Sequence, residues 1–302
     1  MASTIWEFFG LTADAAAVKF SSKAPDGQCP FINQECVKSF RDGTISGVCA
    51  IKPKTSAPVI CCPQRLYFEN YKILRDVSEL AFDATYELVS GHKATSHAIK
   101  NKKYCVAVFG HRWSKELRIP TKTSGSKFSI DWTLALIDET GALKEFVAVE
   151  VQSIDTTGNY RAGYNGILAG ASGEPTTAGL NWENVNKRIL PQLVYKGQVL
   201  QRETLCKKGL FFVCPAGVFN KIVNRLGGKE KLADYALQPA SLTFMVYDYD
   251  EVSPKVDKSG KLAVSLVERH TTTVYKVQEA FNNVSLPEAD IYKSVIEEAL
   301  KE

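Results

Sequence analysis

The sequence has no apolar run that approaches the roughly 20 residues needed to cross a bilayer. Its beginning also lacks the basic region and the apolar region of a secretory signal. Hydrophobic residues make up 45% of the 302 residues and charged residues 23%, which is ordinary for a soluble globular protein. We therefore expect a cytoplasmic protein without a membrane partner.

Motifs of several hydrolase classes are also missing. The sequence contains no G-x-S-x-G and no phosphate-binding G-x-x-x-x-G-K, and it has only four histidines. His92 and His97, in "HKATSH", lack the i, i+4 spacing of a zinc-binding pair on a helix, so they are more typical of exposed loop residues. These absences disfavour the hydrolases that do not act on nucleic acids.

The net charge of +4 says little about partners, but the basic residues are unevenly distributed. Residues 92–127 contain nine Lys or Arg and one acid, Glu116. Residues 185–231 contain ten Lys or Arg and two acids, Glu203 and Glu230. Segregated charge of this kind suits a face that binds a polyanion, and ordinary solvated surface is the alternative.

Cysteines are concentrated near the N-terminus. The spacing there is Cys29-x6-Cys36-x12-Cys49-x12-Cys62, with Cys61 adjacent. The pattern lacks the C-x2-C pairs of a zinc ribbon, but small and turn-forming residues flank the cysteines, as in many metal-thiolate sites. In a reducing cytosol, four thiolates suit zinc or a single iron ion, and ordinary buried cysteines are the alternative. We take Cys62 rather than Cys61 as the ligand because Pro63 follows it, as Pro30 follows Cys29.

Apolar periodicity divides the chain into two parts. Residues 1–65 are rich in Cys, Gly, Pro and Ser, and we expect them to form a metal-binding segment docked on a core of residues 66–302. An amphipathic helix is predicted for "TIWEFFG" (4–10). Residues 128–137 and 144–152 predict a β-hairpin, and a helix broken by Pro191 is predicted for residues 182–200. Mixed strands and helices around a hairpin predict an α/β core.

Two carboxylates and an amide interrupt the apolar strands of this hairpin. Side chains on a strand alternate, so Glu150 and Gln152 share one face, and pairing of the two strands brings Asp131 close to Glu150. Carboxylates held that close repel unless a cation lies between them, and Mg²⁺ prefers such oxygen ligands. This is the constellation of an Asp…Glu-x-Lys nuclease with Gln152 in place of the lysine. A strand-end Asp and Glu bonded to backbone are the alternative.

Together these motifs resemble the NotI-type restriction endonucleases. The resemblance extends from about residue 6 to at least 215 and is carried by "WEFFG" (6–10), "CPF" (29–31), "ECVK" (35–38), "GVC" (47–49), "CCPQRLY" (61–67), "DWTLA" (131–135), "EFVAVEVQSIDTTGNYR" (145–161) and "GLNWENVNKRILPQL" (179–193). It implies a PD-(D/E)xK fold, in which helices flank a mixed sheet.

The resemblance also implies roles for site residues. The third catalytic residue of this family is already glutamine, so Gln152 fits. Asp131 and Glu150 correspond to its Mg²⁺ ligands, and the structural cysteine site would hold one iron ion through Cys29, Cys36, Cys49 and Cys62. No role carries over to Cys61.

The function implied is that of a type II restriction endonuclease in a bacterial restriction-modification system. Such an enzyme works as a homodimer on double-stranded DNA, here at a GC-rich palindrome expected to contain CGGCCG, and leaves 5′-phosphate ends. A cognate DNA methyltransferase is expected in the same system, with no stable complex implied. The alternatives are a structure- or lesion-directed repair nuclease and a catalytically inactive DNA-binding protein with the same cysteine site.

Residues that would contact DNA are predicted from charge and position alone. Arg161 follows the site strand, and Lys187 and Arg188 lie on the helix after a Gly-rich loop. Arg or Lys would read guanine in a GC-rich target, and a phosphate contact or plain surface charge is the alternative role of each.

Overall fold

The computed structural model describes residues 3–111, 113–119, 128–249, 256, 260–283 and 288–301. Arg112, Lys122 and Lys127 of the first basic stretch lie outside these residues. The α-helices within them are α1 (Ala13–Phe20), α2 (Phe68–Phe82), α3 (Gly91–Asn101), α4 (Arg161–Leu168), α5 (Leu190–Leu200), α6 (Ala216–Arg225), α7 (Val274–Asn282) and α8 (Ile291–Ala299). Short 3₁₀ turns span Pro63–Tyr67 and Lys229–Lys231, and a π-helical turn spans Val185–Ile189. No helix in these ranges has both the length and the apolar character of a membrane span.

The strands are more numerous and mostly short. They are β1 (Ser3–Phe8), β2 (Leu11–Thr12), β3 (Gln28–Cys29), β4 (Gln34–Glu35), β5 (Val48–Pro53), β6 (Val59–Ile60), β7 (Leu88–Ser90), β8 (Cys105–Gly110), β9 (Arg118–Ile119), β10 (Phe128–Ser129), β11 (Trp132–Ile137), β12 (Leu143–Val151), β13 (Thr156–Thr157), β14 (Gly179–Leu180), β15 (Leu210–Cys214), β16 (Ser241–Tyr249) and β17 (Val264–Thr273).

A seven-stranded mixed sheet forms the centre of the molecule, in the order β17-β16-β15-β12-β11-β8-β7. The strands β12, β15 and β16 are mutually parallel, whereas β11 is antiparallel to both β8 and β12. One face packs on an apolar cluster that includes α2, and the other on a cluster that includes α5, α6 and α7. The predicted mixed α/β core is confirmed.

The predicted hairpin is present, and its register matters for the site. Trp132 pairs with Val149 and Leu134 with Val147. The first strand is shorter than predicted, because residues 128–129 pair separately with β9 and Asp131 lies in the break before β11. This break frees the backbone of Asp131 from the ladder and leaves the residue beside the carboxyl end of β12.

The N-terminal segment differs from the prediction. The residues of "TIWEFFG" do not form a helix: Ser3–Phe8 is a strand that pairs with β5 in a four-stranded sheet of order β2-β1-β5-β6. Its burial alternates with period two from Ser3 through Ile5 to Glu7, and Phe8 at its end is buried as well. Over so short a run, the same aromatic residues fit either the alternating faces of a strand or one face of a helix. Pairing with a strand distant in the sequence decides which of the two structures forms.

The interruption predicted at Pro191 is confirmed in a modified form. The π-helical turn ends at Ile189, and Pro191 occupies the first turn of α5, where its missing N–H needs no intrahelical acceptor. Helices α3, α4 and α7 were not predicted. The sequence also predicts helices over residues 216–226 and 287–301; α6 matches the first closely, and α8 lies within the second.

Candidate active site

Asp131 and Glu150 meet at the carboxyl end of β12. The backbone N–H of Asp131 donates to Glu150 Oε1 at 3.4 Å, and Asp131 Oδ2 accepts from the backbone N–H of Val151 at 2.9 Å. Glu150 is only 8% exposed, although it is ionisable and follows an apolar run in the second half of β12. The structure therefore brings together the two predicted carboxylates, each in a backbone hydrogen bond with the other's segment.

The electrostatics of this pair are unfavourable. Burial, and next the charge of Asp131, raise the pKa of Glu150 to about 7. Burial also raises the pKa of Asp131, although the hydrogen bond from Val151 acts in the opposite direction, and Glu116 adds to the increase. Hydrogen bonds from backbone amides lower the pKa of a carboxyl group, and at both of these residues burial outweighs that effect. Two carboxyl groups thus share one largely buried place, and a divalent cation there would offset their mutual repulsion.

Gln152 follows on the same strand and is half-buried. Its backbone N–H donates to the carbonyl of Val213 at 2.9 Å, which continues the pairing of β12 with β15. Its side-chain nitrogen donates to the carbonyl of Ser153 at 3.0 Å. The side-chain amide is thus held by the backbone of its own segment, two residues after Glu150.

A cation that the sequence interpretation missed lies against this pair. Lys196 Nζ is 2.6 Å from Glu150 Oε2, and the lysine is only 6% exposed. It lies on α5, among buried positions that repeat at helical spacing: Leu190, Leu193, Lys196, Gly197 and Leu200. The sequence did contain a signal for this residue: Lys196 interrupts the apolar face of an amphipathic helix, at a position that is ordinarily apolar.

The three basic residues predicted to contact DNA are all exposed or half-exposed and ion-paired. Arg161 Nη2 is 2.5 Å from Asp42 Oδ2, and its guanidinium lies 3.7 Å from the centre of the Phe40 ring. Arg188 Nη1 is 3.2 Å from Asp155 Oδ2, and Lys187 pairs with a glutamate one helical turn earlier. None contacts Asp131 or Glu150 among the contacts of the described residues.

The N-terminal cysteines are free thiols, mostly buried. Burial is the main cause that raises the pKa of Cys62 to about 12; Cys61 and Cys36 act in the same direction, and the charge of Lys38 opposes them. Lys38 Nζ lies 2.6 Å from the carbonyl oxygen of Cys61 and 3.6 Å from its sulfur. Within the described ranges, no three His, Cys, Asp or Glu side chains are grouped so that they could hold a metal ion. The four-cysteine site therefore stays a prediction.

Comparison with known proteins gives one family. The model of the family "Restriction endonuclease NotI" matches residues 12–254, which includes both carboxylates, Gln152 and Lys196. No curated protein matched the chain at the required significance. The matched range covers more than half of the 302 residues. The chain therefore belongs to the NotI family of restriction endonucleases and is a type II site-specific deoxyribonuclease, a hydrolase that acts on double-stranded DNA.

Proposed function

We propose that this enzyme cleaves DNA by Mg²⁺-dependent phosphodiester hydrolysis on a PD-(D/E)xK fold, with Asp131 and Glu150 as the metal ligands and Gln152 completing the site. One observation carries the proposal: two largely buried carboxylates lie together at the end of β12 with raised pKa values. A buried pair of carboxylates gains more from a divalent cation than exposed carboxylates would.

The donor set fits magnesium. Mg²⁺ takes one or two protein carboxylates together with water and phosphate oxygens, and Asp131 and Glu150 supply two such groups. When bound, it would activate a water and offset the charge on the phosphate group that is attacked. Asp131 and Glu150 would bind and orient the ion, and the Gln152 amide would orient the attacking water without adding charge.

Cleavage of this kind would leave a 5′-phosphate and a 3′-hydroxyl. We propose a GC-rich palindrome as the target, and the family resemblance suggests that it contains CGGCCG. A palindrome calls for two sites related by a two-fold axis, so the active form would be a homodimer. A cognate methyltransferase would protect the same sequence without forming a stable complex.

The basic stretches would bind the DNA backbone. Arg161, Lys187 and Arg188 are candidates, and each would exchange its present carboxylate partner for a phosphate oxygen. Such exposed ion pairs contribute little to stability, on the order of 0–1 kcal/mol, so the exchange would cost little.

We also propose that Cys29, Cys36, Cys49 and Cys62 hold a structural iron ion, with zinc as the alternative. Support comes from the family resemblance and from two of the other proposed ligands, Cys36 and Cys49, which lie close enough to Cys62 to interact electrostatically with it. Elemental analysis of purified protein should find about one iron per chain, and Cys49→Ser should lower both the metal content and the melting temperature. A protein that contains neither metal, or a variant with an unchanged melting temperature, would count against this site.

The catalytic proposal is tested by digestion of a large DNA. Purified protein with Mg²⁺ should give discrete fragments, and Glu150→Ala should lower the cleavage rate at least about 100-fold while specific binding in Ca²⁺ remains. Glu145→Ala is the matched control, because Glu145 lies on the same strand away from the site end.

The outcomes separate the candidate functions. A smear instead of bands would favour a structure- or lesion-directed nuclease on the same fold. Complete absence of Mg²⁺-dependent cleavage by the wild type would favour an inactive DNA-binding protein. Cleavage by Glu150→Ala at the wild-type rate would refute the assigned site.

A further inference from the structure

Lys196 is a buried charge for which the fold alone gives no need. Its helix packs Leu190, Leu193 and Leu200 into the apolar cluster that also contains Ala148 and Phe212 of the central sheet. A lysine in that stripe loses most of its hydration, and an apolar residue of similar volume usually stabilises a core at least as well as a buried ion pair. The position therefore points to a role at the carboxylate pair rather than in packing.

The ammonium group of Lys196 lies in the candidate active site. Lys196 Nζ is 2.6 Å from Glu150 Oε2, and it is close enough to Asp131 for its charge to act on that carboxyl as well. The groups that face it are thus Glu150 and Asp131, with Glu116 near the latter. An ammonium has three N–H donors, and Glu150 is the only acceptor that the described residues place in an ion pair with it.

With DNA and one Mg²⁺ bound, the site would carry more negative than positive charge without the lysine. Asp131, Glu150 and a DNA phosphate would contribute three negative charges, and one Mg²⁺ would contribute two positive charges. Gln152 is neutral, so the third position of the motif does not supply the missing positive charge. Lys196 is the one charged lysine or arginine that contacts either carboxylate among the ion pairs of the described residues.

We propose that Lys196 is a catalytic residue of DNA cleavage, which supplies from α5 the positive charge that a lysine at position 152 would otherwise supply. In the hydrolysis, a water oxygen forms a bond to phosphorus while the bond from phosphorus to the 3′ oxygen breaks. The water loses one proton, and the 3′ oxygen gains one. Lys196 keeps its proton throughout and stabilises the negative charge that grows on the phosphate oxygens. This inference rests on the proposed function.

The test compares Lys196→Met with Lys196→Arg, which keeps the charge, and with Lys276→Met as the control. Lys276 is a half-exposed, ion-paired lysine on α7, outside both basic stretches. Single-turnover cleavage is measured on a linear DNA with one mapped site while Mg²⁺ is raised to saturation. Calorimetric titration of the DNA-free proteins with Ca²⁺ measures metal binding separately, and circular dichroism checks folding.

At saturating Mg²⁺, we expect Lys196→Met to cleave at least about 100-fold more slowly than wild type, with partial rescue in Lys196→Arg and no change in Lys276→Met. Ca²⁺ should bind Lys196→Met at least as tightly as wild type, because a like charge has been removed from the site. The rate loss would then persist although the metal is present, which a mere counter-ion does not explain.

Two results would overturn the proposal. If Lys196→Met recovers the wild-type rate once Mg²⁺ saturates, the lysine only substitutes for the metal in its absence. If the variant loses Ca²⁺ binding, the lysine acts by shaping the carboxylate pair. Should Lys196→Met fail to fold, Lys196→Gln is judged by the same criteria. A wild type that cleaves no DNA refutes the proposed function itself, and this outcome is recognised from the wild-type rate alone.

Discussion

Glu150 is a carboxyl group in a place where an apolar side chain would be easier to bury. Its neighbours Val149 and Val151 pack into the core, and the glutamate itself is 8% exposed beside Asp131. Ionisation of Glu150 therefore costs free energy in the metal-free protein, even with Lys196 opposite it. A bound cation would remove this free-energy cost, and the position is therefore suited to binding one.

The pH dependence of metal-free stability should reveal this cost. The folded pKa of Glu150, about 7, lies above its ordinary value of 4.5. Between these two pH values the unfolded chain releases the proton while the folded protein keeps it, so unfolding becomes easier as pH rises through this window. Glu150→Gln lacks this titration. Relative to wild type, it should gain about 3 kcal/mol of unfolding free energy between pH 4 and pH 8.

Urea unfolding at several pH values, in the presence of a chelator, measures this difference. Glu145→Gln serves as the control, since Glu145 is half-buried on the same strand without a second carboxylate in hydrogen-bond contact among the described residues. A difference between Glu150→Gln and wild type that is constant with pH, or that shrinks as pH rises, would contradict the strained carboxylate pair.

At the residue scale, the sequence was sufficient for the carboxylates and insufficient for the lysine. Strand alternation and a hairpin are local features, so Asp131 and Glu150 could be placed together before the structure was known. Lys196 reaches Glu150 only because α5 packs back on β12, a contact between residues 46 positions apart that no local pattern encodes.

Among the elements, the parallel strands β12, β15 and β16 hold the site in place. Gly209 precedes β15 with a φ of +72°, and its carbonyl accepts from the N–H of Ala148 on β12. A Cβ atom at this position would lie 2.1 Å from the carbonyl oxygen of Ser241. The glycine thus allows β15 to start between two backbones that leave no room for a side chain.

Gly209→Ala should therefore destabilise the protein by about 3 kcal/mol or more, because the clash adds to the strain of a positive φ. Gly173→Ala is the matched control: its φ is +82°, and no described atom lies within 4 Å of the added Cβ position. The control should lose only about 1–2 kcal/mol. Thermal unfolding measures both losses of stability. Equal losses would show that the close approach of the Ser241 backbone does not contribute to the effect of Gly209→Ala.

The hairpin and the helix after Pro191 could be predicted at this scale because their signals are local. The N-terminal strands could not, since β1 pairs with β5 more than 40 residues away and also bridges to Thr176. Long-range pairing leaves no periodic signal that distinguishes a six-residue strand from a short helix.

At the scale of the whole molecule, a buried polar network joins the N-terminal sheet to the central one. Arg65 Nε lies 2.8 Å from both carboxylate oxygens of Glu7 on β1, and the hydroxyl of Tyr249 on β16 donates to Glu7 at 2.7 Å. Arg65 Nη2 also donates to the carbonyl of Leu262 at 2.6 Å. The N-terminal segment is therefore attached to the core by a network with almost no solvent access.

Arg65→Met should cost about 3–5 kcal/mol, because it leaves the Glu7 charge buried without its cation. The double variant Glu7→Gln, Arg65→Met should recover part of that loss, since neither charge then remains. Urea unfolding of wild type, the two single variants Glu7→Gln and Arg65→Met, and the double variant gives the coupling energy between the two residues. Simple additivity of the two single changes would contradict a coupled network.

The account depends most on a divalent cation between Asp131 and Glu150, and anomalous X-ray scattering from crystals soaked in Mn²⁺ tests this directly. We predict a peak within about 2.0–2.6 Å of an oxygen of each carboxylate. The peak should disappear in Asp131→Asn, which keeps the shape of the side chain. A wild-type crystal without a peak there, or a peak that Asp131→Asn leaves unchanged, would contradict the proposed active site.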